Sequence, residues 1–200
     1  MNSEIIAHAK KNEEGEFEAP HFLEEHLKNT ARLAEAFAEK FNSGQWGYVA
    51  GLLHDIGKSK PGFQEYIRRV TGYDIEHFNL EGRIKRGEHS TSGAKLAEDY
   101  FGAKGRVLAY CIAGHHAGLP DWYPDEAGGQ SSLNFRINNA DIKGLMPEIV
   151  KGFEKKKLEI PWKFSRNNLD MALWIRMLFS CLVDADFLDT EEYMDPIKYG

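Results

Sequence analysis

Cysteine is scarce in this chain: two residues of 200, Cys111 and Cys181. Both sit in apolar stretches of helical character. A disulfide framework is therefore excluded, and two buried thiols in a reducing compartment are expected. No run of 18 apolar residues occurs, which excludes a membrane-spanning helix. The opening stretch MNSEIIAHAKKNEEGE has no apolar h-region, so no secretory signal is read and a cytoplasmic location is expected. Internal repeats and low-complexity tracts are missing. So is GxxxxGK[ST], which excludes a Walker-type phosphate loop, and with it a helicase motor, within these residues. Positive charge is also short. With 25 Lys and Arg against 31 Asp and Glu the formal charge is −6, which weighs against holding nucleic acid by bulk charge alone.

What is present fits one domain, residues 1–200, with a sizeable core, since 42% of the residues are hydrophobic. The charge is uneven. Lys58, Lys60, Arg68, Arg69, Arg83, Lys85 and Arg86 crowd one segment, and Lys151, Lys155, Lys156, Lys157, Lys163 and Arg166 another. Either is a solvated face or a contact surface.

The periodicity predicts an all-α chain. A first helix over about 22–41 carries the stripe Leu23, Leu27, Thr30, Leu33, Ala34, Phe37 and Phe41, and His26 shares that inward face. A second helix from about Trp46 stops at Gly57, and FQEYIRRV after Pro61 is a short third. Ser90 or Thr91 caps a helix through Phe101. GRVLAYCIAGHH forms another, and a last one starts near Ser165 and runs through DMALWIRMLFSCLVDADFL. Residues 71–88 and 117–133 are glycine-rich and polar and are expected to be loops, the first mobile. No convincing strand pair is found.

Five of these helices each place an imidazole or a carboxylate at an inward face or a terminus: His26, then His54 and Asp55, then His89, then His115 and His116, then Asp184 or Asp186. Leaving such groups buried and unpaired costs roughly 1–3 kcal/mol each. A metal centre removes that cost, because it takes neutral imidazoles and ionised carboxylates as ligands. Both aspartates of VDAD continue apolar stripes, so periodicity alone leaves them equivalent.

The motifs AGLLHDIGKSKPGFQEYI, GEHSTSGAKLAEDYF, AYCIAGHHAGLPD and LFSCLVDADFLDTEEY stand in that order. As a set they resemble the HD phosphohydrolase superfamily, and within it the HD nuclease domain of type I CRISPR–Cas systems, usually fused to a superfamily 2 helicase. The resemblance covers about residues 5–195. It implies a single helical domain, a stand-alone subunit or the N-terminal part of a longer helicase–nuclease, with a metal site where five helices converge. It also implies hydrolysis of single-stranded DNA in CRISPR interference. Carried over, His26, His54, Asp55 and Asp184 hold one ion, the family register favouring Asp184 over Asp186. Asp55 bridges to a second ion on His89, His115 and His116. Lys58 is expected to place its ammonium on a phosphate oxygen. Imidazole-rich ligation suits Mn, Fe, Co or Ni better than Mg, although Mg is possible. Trp122 and Tyr123 are candidates for stacking bases. The implied partners are single-stranded DNA, the helicase and an RNA-guided surveillance complex, with no membrane. The alternatives are a phosphohydrolase of nucleotides or cyclic nucleotides, and a docking module that no longer cuts.

Overall fold

The computed structural model describes residues 5–74, 89–123, 132–146, 148, 151–161 and 169–199. It is helical, as expected. In chain order come β1 (Ile6–His8), β2 (His21–Phe22), α1 (Leu23–Glu39), α2 (Gly44–Leu53), a 3-10 turn (Ile56–Ser59) and α3 (Pro61–Thr71). Then follow α4 (Ser90–Phe101), α5 (Ala103–Gly114), α6 (Leu133–Asn138), a second 3-10 turn (Phe153–Lys155), α7 (Leu169–Met194) and α8 (Pro196–Tyr199).

Glycine sets how closely the helices meet. α1 and α2 pack so tightly that a Cβ on Gly47 would sit 2.3 Å from the Ala34 carbonyl oxygen, and one on Gly51 2.7 Å from Ala31 Cα. The face of α1 that α2 meets is therefore made of small residues, Ala31, Ala34 and Ala38, all buried, while Leu33 and Phe37 of the expected stripe are only half-buried. α4 approaches α2 in the same way: a Cβ on Gly93 would lie 1.9 Å from the Leu53 carbonyl oxygen. α7 closes the bundle over α1, α2 and α5 with the stripe Trp174, Leu178, Leu182 and Ala185. Its Trp174 meets Trp46 of α2 edge to face at 4.8 Å. Both indole N–H groups are satisfied, Trp174 by Ser43 Oγ at 2.8 Å and Trp46 by the Glu159 carbonyl at 2.7 Å.

Two features differ from the sequence reading. First, β1 and β2 form an antiparallel pair, with His8 opposite His21. Strands of three and two residues are too short for alternation to reveal. The pair is held instead by a side chain: Gln64 of α3 accepts from Ile6 N–H at 3.0 Å and donates to the Ile6 carbonyl at 2.9 Å. Second, α5 ends at Gly114, so His115 and His116 stand in the turn beyond it. Residues 75–88 of the loop expected over 71–88, residues 124–131 of the one expected over 117–133, and the start near Ser165 lie outside the described residues. Cys111 and Cys181 are free thiols, and burial pushes Cys111 up to about 12. No described helix is long and apolar enough to cross a membrane.

Candidate metal centre

The helix ends converge. His54 caps the C-terminus of α2, and Asp55 follows at φ −116°, turning the chain into the 3-10 turn that carries Lys58. His89 precedes α4, and a Cβ on Gly57 would lie 2.1 Å from its carbonyl oxygen. Glycine after His54–Asp55 is thus what lets the α4 entry come close enough to bring in His89.

Two ligand groups share Asp55. Toward one side, Asp55 Oδ2 stands 3.5 Å from His26 Nε2 and 3.5 Å from His54 Nε2, while Asp186 Oδ1 lies 3.5 Å from the first and 3.3 Å from the second. Toward the other, Asp55 Oδ1 stands 3.3 Å from both His89 Nε2 and His115 Nε2. His116 Nε2 is 2.7 Å from His89 Nε2, an approach that two ring nitrogens make only by sharing a proton or a cation. Two atoms each about 2.0–2.2 Å from one ion stand about 3–3.5 Å apart, which is the spacing within these groups.

The hydrogen bonding points the same way. His54 and His115 donate from Nδ1 to the Gly51 and Ile112 carbonyls, each at 2.7 Å, and His26 donates from Nδ1 to Asp189 Oδ2 at 2.6 Å. That leaves Nε2 bare on each ring, the tautomer that a metal needs. These three Nε2 atoms and Asp55 Oδ1 are buried without a hydrogen-bond partner, and Asp55 Oδ2 has the Lys58 ammonium beside it. Buried polar atoms are rarely left so, and a divalent ion in each group satisfies all of them. The residues fit two ions.

Charge compensation without an ion is visible in the ionisations. Burial opposes ionisation of Asp55, but Lys58, whose Nζ is an ion-pair partner at 2.7 Å, together with His54 and His89 holds it well below the usual carboxylate range. Burial lowers His54, yet Asp55 and Asp186 raise it to about 9. Burial likewise opposes Asp186, and His54 holds it low. Burial pulls His89 down, and partial desolvation pulls His116 down to about 4.

The structure brings together His26, His54, Asp55, His89, His115 and His116, all buried except the solvent-facing His116. It does not bring in Asp184, which is exposed on the outer face of α7. The acid in the cluster is Asp186, because a helix turns about 200° in two residues and only one aspartate of VDAD can face α1. Lys58 is buried against Asp55 rather than on the surface. Trp122 packs on Tyr110 at 5.5 Å with Arg106 over its ring, whereas Tyr123 is exposed.

Sequence reasoning missed three residues behind the ligands. Asp189 is 3% exposed and one turn beyond Asp186; a second acid at i+3 was the signal that marks the inward face. His8 and His21 come from the strand pair. His21 Nε2 is 3.4 Å from Asp189 Oδ2 and stacks on Tyr193 at 4.9 Å. Burial pulls His21 down to about 4, and burial followed by Lys58 pulls His8 down further.

A helical bundle presenting a histidine–aspartate centre of this kind defines a class of metal-binding hydrolase domains. The sequence model of the HD domain matches residues 23–138, more than half of the chain, and the chain belongs to the HD domain family. No curated protein matches it. HD domains are typically metal-dependent hydrolases, and the cluster described above makes a metal-dependent phosphohydrolase the activity indicated here.

Proposed function

We propose that this protein is a metal-dependent nuclease that hydrolyses phosphodiester bonds of single-stranded DNA in type I CRISPR interference. It acts in the cytoplasm with a superfamily 2 helicase, fused or separate, and an RNA-guided surveillance complex. The observation that carries this reading is Asp55, whose two oxygens face two separate ligand groups.

His26, His54, Asp55 and Asp186 would hold one ion, and Asp55, His89, His115 and His116 the other. Mn, Fe, Co or Ni suit these imidazole-rich sets better than Mg. Such a pair supplies a hydroxide nucleophile near neutral pH and charge to both the attacking and leaving oxygens. The chain's own residues do the rest. Asp55 fixes the spacing of the two groups. Lys58, buried beside it, presents positive charge to the phosphate as negative charge builds there. The histidine Nδ1 bonds to Gly51, Ile112 and Asp189 hold each ring in place. In the hydrolysis, the oxygen of water bonds to phosphorus, the P–O bond to one nucleoside breaks, and the proton passes to the leaving oxygen. Entry is from the His116 side, where the described residues are open to solvent. An internal stretch of flexible single strand can bend into such a site, and a stacked duplex cannot. On a chain of charge −6, affinity for free DNA is weak and salt-sensitive, so a helicase delivers the strand.

The test is direct. Chelator-stripped protein is reloaded with Mn²⁺, its metal content is measured, and circular single-stranded and duplex DNA are offered. Two ions per chain and cutting of the circular single strand are expected. Hydrolysis of a mononucleotide or cyclic dinucleotide with the circle left intact would overturn the nuclease reading in favour of a small-molecule phosphohydrolase.

A further inference from the structure

His8 belongs to neither ligand group, yet it reaches the lysine beside them. Lys58 Nζ stands 2.7 Å from Asp55 Oδ2 and 3.2 Å from His8 Nε2. An ammonium donates and never accepts, so His8 Nε2 accepts and the ring proton of His8 is on Nδ1. That Nδ1 lies 3.3 Å from His21 Nδ1, which must then accept, and the proton of His21 falls on Nε2, 3.4 Å from Asp189 Oδ2. The same Asp189 oxygen accepts from His26 Nδ1 at 2.6 Å. Donors and acceptors alternate without conflict from Lys58 to His26, and only one tautomer of each histidine allows it.

We propose that His8 is a positioning residue for Lys58: the N-terminal strand pair supplies a neutral imidazole acceptor that holds the lysine ammonium beside Asp55 and leaves its third N–H for the phosphate. The proposal rests on the phosphodiesterase reading above. It also has a mechanical basis. A four-carbon lysine stem is flexible, and one contact to Asp55 leaves the ammonium free to swing about it. A second, differently directed partner removes that freedom. The position of His8 is itself fixed, because Gln64 clamps Ile6 on both its N–H and its carbonyl and donates to the Lys58 carbonyl at 2.7 Å. One side chain thus ties the strand to the turn that carries the lysine. On its far side His8 lies near-parallel to the Tyr193 ring, at 6.4 Å.

The experiment uses the full chain loaded with Mn²⁺ and bis-p-nitrophenyl phosphate as a minimal phosphodiester. His8→Leu should lower kcat by about tenfold to a hundredfold, the range for a lost hydrogen bond to a charged group, with metal content unchanged. His8→Gln, which keeps an acceptor oxygen, should recover most of that loss. The double variant His8→Leu/Lys58→Ala should be no slower than Lys58→Ala alone, because a residue acting only through Lys58 has nothing left to do. Independently of activity, long-range proton–nitrogen NMR of metal-free protein should show His8 with its proton on Nδ1, and Lys58→Ala should abolish that preference. Additive losses in the double variant, or His8 protonated on Nε2, would overturn the proposal. If wild-type protein hydrolyses no phosphodiester, the functional reading fails instead, and the tautomer measurement still decides the role of His8. Should His8→Leu not fold, the glutamine variant and the NMR arm decide it.

Discussion

Gly57→Ala isolates the packing that brings the second ligand group together. The new methyl would sit 2.1 Å from the His89 carbonyl oxygen and 2.7 Å from both its carbonyl carbon and Cα. Ordinary contact is about 3.5 Å, so more than about 1 Å must open between the 3-10 turn and the start of α4. The obstructing atoms are backbone, not a flexible side-chain end, so the shift passes to His89 itself. Overpacking of this kind costs about 1–3 kcal/mol, which in a chain of this size lowers Tm by roughly 2–12 °C. The chemical effect is larger, since a misplacement of about 1 Å lowers a rate by about a hundredfold. The three nearest atoms all belong to His89, so the disturbance falls first on the group of His89, His115 and His116. The expected result is a folded protein binding one Mn²⁺ in place of two, with about 1% of wild-type phosphodiesterase activity. Gly62→Ala is the control: nothing lies within 4 Å of its added Cβ, and it should keep full activity with unchanged or slightly raised stability. Full activity and two ions per chain in Gly57→Ala would refute the claim that this glycine sets the position of His89.

Asp186→Asn should lose one ion and most activity, whereas Asp184→Asn, on the exposed face of α7, should change stability by no more than about 0.5 kcal/mol and keep activity; metal analysis with a turnover assay separates them. Asp189→Asn removes the carboxylate that accepts from His26 Nδ1, and should weaken metal binding by about 10–100-fold in a competition titration without removing a ligand. Metal-free protein should lose stability on acidification. His8, His21, His89 and His116 are all held below 6.5 in the fold, so from about pH 6.5 downward the unfolded chain takes up protons that the folded chain refuses, until His21 and His116 titrate near 4 and His8 lower still. His54, raised to about 9, works the other way: its stabilisation is full below 6.5 and disappears as pH rises toward 9. Below 6.5 His54 adds no slope, so Tm in chelator should fall between pH 6.5 and 4.5, and a rising Tm there would contradict the assignment.

Much of this was legible in the sequence because a 3.6-residue repeat survives in long helices. The apolar positions of α1 put His26 inward, and glycines after His54–Asp55 and after His116 marked helix ends where side chains meet. VDAD was different. Both aspartates extend apolar stripes, and the register borrowed from the resembling family pointed to Asp184. The helix decides otherwise because its buried stripe runs Trp174, Leu178, Leu182, Ala185 and Asp189, placing Asp186 on the α1 side and Asp184 away from it. His8 and His21 were illegible for a more basic reason. Their strands have no period to read, and their neighbours are set by contacts with Gln64, Lys58 and Asp189, which are distant in the chain.

The sharing of Asp55 has a consequence for the order in which a growing chain becomes functional. Every donor of the His89–His115–His116 group has left the ribosome once residue 116 is out. The other cradle stays incomplete until α7 brings Asp186, and its supporting acid Asp189, back over α1. Vectorial synthesis therefore makes the donors of one cradle available well before those of the other.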